Sequence, residues 1–277
     1  MLFSSRFFTT FNYPTAVSAI LFAGGASSGT TFSVENPSYN NGGGGAGGVL
    51  ILNNVGFSAN TTINVTIGAG GAPQTTNFRP GNNGGNSVLQ ATLTSTAIGG
   101  GGGGGNGSTS PSTAALNGGS GGGQTINAGA ATRPNSPGGT GTAGQGNNGG
   151  ASNTGTGAGG GGGYSSAGGN ASGSNTGGAG GAGYLGAVSY TGKTYAVGGN
   201  GGPIASPAAG VANTGHGGDG TNSSTAGISY AGGSGAVIIL VPYGIVFNLI
   251  TGTVNTYTLE NYSTVKEFIT SGQFSLS

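Results

Sequence analysis

Residues 97–106 read AIGGGGGGGN, a run of glycines from Gly99 to Gly105 with no side chain between them. Shorter runs recur at 42–45, 121–123, 159–163 and 198–202, the last interrupted by Asn200. A tract of this kind is either a pliable linker or a backbone that its neighbours approach too closely for any side chain. Composition separates the two. Glycine contributes 70 of 277 residues and proline 10, a level usual for low-complexity chains. Disordered chains, however, are rich in charge and poor in aromatic and β-branched residues. Here 3% of residues are charged, and there are 11 Phe and 10 Tyr. All glycines except Gly244, Gly252 and Gly272 lie between Gly24 and Gly235, with strand-like segments on both sides. A linker needs no such bracket, so the packed reading is preferred.

The bracketing segments are short. Residues 16–22 (AVSAILF) stop at Gly24 and Gly25, residues 49–52 (VLIL) follow a glycine run, and 236–241 (AVIILV) end at Pro242. Residues 61–67 alternate, with Ile63, Val65 and Ile67 on one side and Thr62, Asn64 and Thr66 on the other; 88–93 supply a further candidate strand. Helical periodicity is absent from 99–235. Collagen is excluded by the missing Gly-X-Y period and the low proline content. A left-handed chain of three residues per turn has no internal hydrogen bonds, so its N–H and C=O groups must find partners on neighbouring chains. The expected fold is therefore mainly irregular and β. A bundle of glycine-rich, polyproline II-like helices over 99–235 is flanked by short antiparallel strands, with no α-helix of note. Residues 1–244 form the glycine-rich domain and 245–277 a C-terminal β segment. Gly99, Gly102, Gly105 and Gly161 are the expected structural glycines.

Several functions are disfavoured. Arg6, Arg79, Arg133, Lys193 and Lys266 stand against Glu35, Asp219, Glu260 and Glu267, a formal charge of +1, and no basic footprint for nucleic acid results. Cysteine is absent, which removes disulfides and thiolate chemistry. The apolar runs are far shorter than the ~20 residues of a spanning helix, so no membrane insertion is expected. Residues 16–22 read as a strand rather than a signal peptide, because the preceding region is long and aromatic and carries only Arg6. Residues 118–122 (GGSGG) fit a nucleophile elbow by letter, yet that motif requires a strand–turn–helix and a nearby histidine, and the chain has only His216. Residues 187–194 (AVSYTGKT) end like a phosphate-binding loop, but Ala187 stands where its first glycine belongs. Residues 217–222 (GGDGTN) approximate one calcium-binding turn, unrepeated and with Asn222 in place of aspartate. No catalytic residue, metal or other cofactor is expected, and the chain is not read as an enzyme.

One ordered set of motifs carries a resemblance. Residues 8–25 (FTTFNYPTAVSAILFAGG) give an aromatic/Thr strand, a proline, an apolar strand and glycines. Residues 47–50 (GGVL) and 63–71 (INVTIGAGG) follow, and 232–239 (GGSGAVII) close the set. In this order they resemble the glycine-rich domain of bacteriophage tail-fibre and virion proteins, related in architecture to the distal adhesins of T-even-type long tail fibres. The resemblance implies a virion tail-fibre or tail-tip protein, extracellular, that attaches to a host-surface receptor through loops between glycine helices. The implied partners are an outer-membrane protein or glycan, other fibre proteins and further copies of the chain in a trimer. The loops fall at 27–41, 72–83, 106–117, 125–137, 184–197 and 203–214. Tyr39, Phe78, Arg79, Arg133, Tyr190 and Tyr195 are their large or charged members and hence the candidate receptor contacts. Two other readings remain: a purely structural fibre or filament component, and a disordered glycine-rich spacer.

Overall fold

A computed structural model describes residues 17–32, 40–107, 113–125, 136–152, 156–173, 175–186, 188–222, 228–259 and 262–277. It is mostly β, and the described residues include no α-helix, only a 3-10 turn at Ser189–Thr191. No helix among them is long and apolar enough to cross a membrane. Among the described residues twelve strands occur in chain order: β1 (Val17–Phe22), β2 (Thr31–Phe32), β3 (Val49–Val55), β4 (Ile63–Thr66), β5 (Ser87–Gln90), β6 (Thr94–Ala97), β7 (Asn106–Gly107), β8 (Ala236–Val241), β9 (Phe247–Ile250), β10 (Val254–Leu259), β11 (Tyr262–Phe268) and β12 (Gly272–Leu276).

Two five-stranded antiparallel sheets form, in the orders β10-β11-β8-β1-β3 and β6-β5-β4-β12-β9. β2 and β7 make a separate short parallel pair. Alternation along the central strands divides the apolar residues into two cores. Val17, Ala19 and Leu21 of β1, with Val237, Ile239 and Val241 of β8, meet Ile63, Val65, Leu89 and Phe274 of the other sheet. The residues between them, including Ile20, Phe22, Ile238 and Leu240, enter a second core on the opposite face. β8 is buried throughout, which is why its sequence is a continuous apolar run and β4, buried on one face only, alternates.

The strands are more than margins of a glycine bundle. β1 pairs with both β3 and β8, so the segments bracketing the glycine region are neighbours in one sheet. Residues 245–277, set apart by composition, supply β10 and β11 to the first sheet and β9 and β12 to the second.

Between the strands, glycine-rich segments run without regular secondary structure, and their hydrogen bonds go to other segments. The N–H groups of Gly100 and Gly103 donate to the carbonyls of Gly24 and Ser27, and those of Gly101 and Gly104 to Ser120 and Gly123. Gly99 and Gly102 donate to the side-chain oxygens of Asn86 and Asn83. The carbonyls repeat the rule: Gly100 and Gly103 accept from Gly84 and Gly81, Gly101 and Gly104 from Gly45 and Gly42, Gly99 and Gly102 from Gly119 and Leu116. Partners recur at every third residue. The same interval holds at 42–48, where Gly42, Gly45 and Gly48 donate to Gly104, Gly101 and Ile98 while Gly43 and Ala46 donate to Gly159 and Gly162. It holds equally at 23–30, so this layer begins directly after β1 rather than at residue 99.

Space, not backbone angle, requires glycine here. A Cβ at Gly99, Gly102 or Gly105 would meet the carbonyl oxygen of Gly84, Gly81 or Arg79, and one at Gly161 that of Gly44, each closer than the 3.0 Å that real Cβ atoms keep. None of the four has a left-handed φ; among described glycines that conformation is confined to Gly144, Gly192, Gly215, Gly244 and Gly252. At the rim of the layer, asparagine replaces the missing neighbour. Asn83 and Asn86 serve Gly102 and Gly99, Asn117 serves the N–H of Thr140, Asn148 that of Gly141, Asn170 that of Ala151 and Asn200 that of Gly180. A buried or half-buried N–H without a partner would cost about 1–3 kcal/mol.

Candidate binding surface at the loop end

The hydrogen-bond register sets the direction of each glycine segment. Leaving β1, residues 23–30 run outward, and 42–48 return to β3: Ala23, Ala26 and Gly29 donate in sequence to Gly48, Gly45 and Gly42. Residues 99–105 run outward and 113–119 return, with Thr113, Leu116 and Gly119 donating to Gly105, Gly102 and Gly99. The outer turns join one another. Thr30 donates to Arg79, Asn106 to Thr30 and Asn41 to Thr221 through their backbone N–H groups, and Thr125 Oγ1 donates to the Asn40 carbonyl. Residues 30, 40, 79, 106, 125 and 221 therefore share one end of the molecule, with the β2–β7 pair and away from the two five-stranded sheets.

The residues singled out from sequence do not form one patch. Tyr39 and Arg133 lie outside the described residues. Phe78 and Arg79 are at the outer end, in the turn 72–80. Thr30, itself buried, holds this turn at three points: its Oγ1 donates to Thr76 O at 2.7 Å, the same oxygen accepts from Arg79 N at 3.0 Å, and Thr30 N donates to Arg79 O at 3.0 Å. Gln74 Oε1 accepts from the N–H groups of Thr75 and Thr76, and Gln74 Nε2 donates to Pro80 O. Phe78 sits at φ 60°, a left-handed conformation unusual for an aromatic residue and found where surrounding structure enforces it. Arg79 is exposed.

Tyr190 and Tyr195 lie elsewhere. Residues 184–186 and 188–196 belong to a strap folded back over the outer face of the first sheet, closed by the Tyr184–Tyr195 bridge. Tyr195 is fully buried and stacks on Phe22 with ring centroids 4.1 Å apart, so its expected role as a surface contact is corrected to a core role. A long apolar ring gains more by covering Phe22 than by facing water. Tyr190 is half-buried, its ring 5.2 Å from that of Tyr257.

The strap is fastened by Glu267, a buried acid on β11. Its Oε1 accepts from Lys193 Nζ and Tyr195 OH, both at 2.6 Å, and its Oε2 from Asn255 Nδ2 and Tyr257 OH, both at 2.9 Å. Burial alone would raise the carboxyl's pKa, but the donors from Lys193, Tyr195 and Asn255 hold it below the ordinary value. Burial, with the hydrogen bond to Glu267, keeps the Tyr195 hydroxyl protonated and pushes Tyr257 up to about 12. With four donors on its two oxygens, this carboxylate ties residues 193 and 195 of the strap to β10 and β11. Nothing in the sequence joined Lys193 to Glu267, which are 74 residues apart.

His216 and Asp219 also have structural duties. His216 Nε2 donates to Thr194 O at 2.7 Å, and burial depresses its pKa against the opposing effects of that bond and of Asp219. Asp219 accepts from the Asn200 backbone and side chain and from Ala208 N. No group of three or more potential metal-binding side chains occurs among the described residues. At the opposite end, near Val17, a groove of about 300 Å³ is lined by Val55, Phe57, Ile245 and Leu276 and carries no titratable side chain.

These features define a class: a glycine-rich module with a close-packed, largely backbone interior layer and loops gathered at one end. The family model of the glycine-rich domain matches residues 4–241, and the chain belongs to that family. No curated protein and no solved structure matches it.

Proposed function

We propose that the chain is a binding module of a phage tail fibre or tail tip, whose outer loops contact a receptor on the host surface. The observation that carries this reading is the convergence of the outer turns at one end of a layer built almost wholly of backbone, in which the buried side chains are mostly small, such as Ala26, Ser27 and Ala46. Side chains that do not pack within the layer are free to differ between loops without disturbing it, and function concentrates on loops held by rigid scaffolds. The phage context rests on the order of glycine-rich and strand motifs quoted above. We infer further that the glycine segments are left-handed helices of three residues per turn. Partners at every third residue, few positive φ angles and N–H groups bonded only outside the segment all support that geometry. A polyproline II signature in circular dichroism, lost on cooperative melting, is expected; a featureless coil spectrum without a melting transition would return the chain to the spacer reading.

The functional test is host-cell attachment by the purified chain. Attachment is expected to be abolished when residues 74–79 are exchanged for a Gly/Ser sequence of equal length. The purely structural alternative predicts no attachment to any host cell for either protein.

A further inference from the structure

We propose that the 74–79 turn is a binding site for an acidic saccharide, a sugar bearing carboxylate or phosphate, with Arg79 as its anion-binding residue. The proposal rests on the receptor-binding reading and names the ligand class of that end. Three observations lead to it. First, the turn is organised before any ligand arrives: Thr30 and Gln74 fix its backbone, and Phe78 is held in a conformation it would not choose alone. Order of this kind in an exposed segment removes an entropic cost of binding. Second, the described charges are otherwise committed. Lys193 is paired with Glu267, Lys266 lies over the Phe247 ring and donates to Thr256 on the sheet, and Asp219 is held by Asn200 and Ala208. Arg79 is exposed and makes no ion pair with any described residue, in a chain of which 3% is charged. Third, its exposed neighbours Thr75, Thr76 and Asn77 offer hydroxyl and amide groups, not apolar surface.

A guanidinium presents a planar fork that matches a carboxylate or phosphate in two parallel hydrogen bonds. Beside it, hydroxyls and an amide can donate to and accept from sugar hydroxyls. An acidic peptide of comparable charge would call for several cations, and this turn has one.

Binding of the full-length chain to trigalacturonate, mannose 6-phosphate, neutral mannotriose and hexaglutamate distinguishes the possibilities. At least one anionic sugar is expected to bind roughly tenfold more tightly than mannotriose, with affinity falling as salt rises. Trigalacturonate and mannose 6-phosphate separate carboxylate from phosphate preference. Arg79→Gln is expected to lose about tenfold in affinity with its melting temperature unchanged, Arg79→Lys to lose less, and Thr30→Val to weaken binding while retaining Arg79. Equal binding of neutral and acidic sugars, tighter binding of hexaglutamate, or unaltered affinity in Arg79→Gln would overturn the assignment. If wild type and Arg79→Gln attach equally to host cells, this site falls and the receptor-binding reading stands. If the acidic sugar binds through Arg79 but no cell is bound, the reverse holds.

Discussion

Residues 99–105 and strand β8 are both buried along their whole lengths, yet they fill space in opposite ways. β8 brings six apolar residues and shares its backbone hydrogen bonds with two neighbours, β1 and β11. Its side chains serve two cores, one on each face. The glycine segment brings no side chain and distributes its bonds over segments 24–27, 42–45, 81–86 and 113–123. A strand excludes water by the size of its side chains, and the glycine segment does so by bringing backbones together. The first solution tolerates exchange among apolar residues of similar volume. The second should tolerate none, since the atoms that a new Cβ would meet are carbonyl oxygens fixed by their own hydrogen bonds.

The strongest way to break this comparison is to add one methyl group. Gly102→Ala puts a Cβ on the backbone of Gly81 and is expected to cost about 3 kcal/mol or more, and Gly102→Val to abolish cooperative melting. Gly173→Ala, where nothing lies within 4 Å, should stay within about 0.5 kcal/mol of wild type. Equal melting of Gly102→Ala and Gly173→Ala would refute the close-packed account. In β8, Ile239→Ala should cost about 3 kcal/mol by opening a cavity, whereas Ile239→Leu should cost less than about 1.5 kcal/mol. If chemical denaturation found Ile239→Leu as damaging as Gly102→Ala, the contrast between the two regions would vanish.

Further changes, of comparable and then of smaller effect, sharpen it at the seams. Glu267→Ala leaves Lys193 and two tyrosine hydroxyls without their acceptor and should cost about 3 kcal/mol. Because the folded carboxyl has a lowered pKa, its contribution is complete at neutral pH. It is lost as pH falls below the ordinary value of 4.5 and through the lower value in the fold. Glu267→Gln should therefore flatten the acid end of a stability–pH curve; persistence of that acid limb in the variant would show that Glu267 does not produce it. Asn83→Ala removes the acceptor for Gly102 N–H and should cost about 1 kcal/mol, with amide exchange at Gly102 accelerating selectively. Smallest is the histidine effect. His216 has a depressed pKa in the fold, so stability should begin to decline as pH falls below about 6.5. His216→Gln should remove that shallow limb while leaving the one due to Glu267.

Much of the β framework was legible in the sequence. β8 covers the expected residues, and β1, β3 and β4 begin or end within three residues of the expected positions. Runs such as AVIILV and the alternation at Ile63 and Val65 record burial directly, through local chemistry. The special status of Gly99 and Gly102 was equally readable, since no other residue omits the Cβ. Less was visible of the candidate site. Phe78 and Arg79 stand out as the bulky and the charged members of a polar turn, but the role of Thr30 in holding them depends on a contact across 49 residues. Tyr195 illustrates the opposite failure. Its setting among Gly, Thr and Lys reads as an exposed loop, and only the pairing of the strap with Phe22 and Glu267 places it inside.

By itself the sequence determined where the chain extends, where it must have no side chain and how little charge it carries. These properties follow from the chemistry of single residues and their immediate spacing. The tertiary structure decided which segments are neighbours. It set β1 between β3 and β8, drew 245–277 into both sheets, gathered the outer turns at one end and enclosed Glu267 with four donors. In a chain whose repeating segments are nearly alike, local preference cannot distinguish one glycine neighbour from another. That choice falls to the strands, whose apolar side chains fix the register in which the glycine segments leave and return.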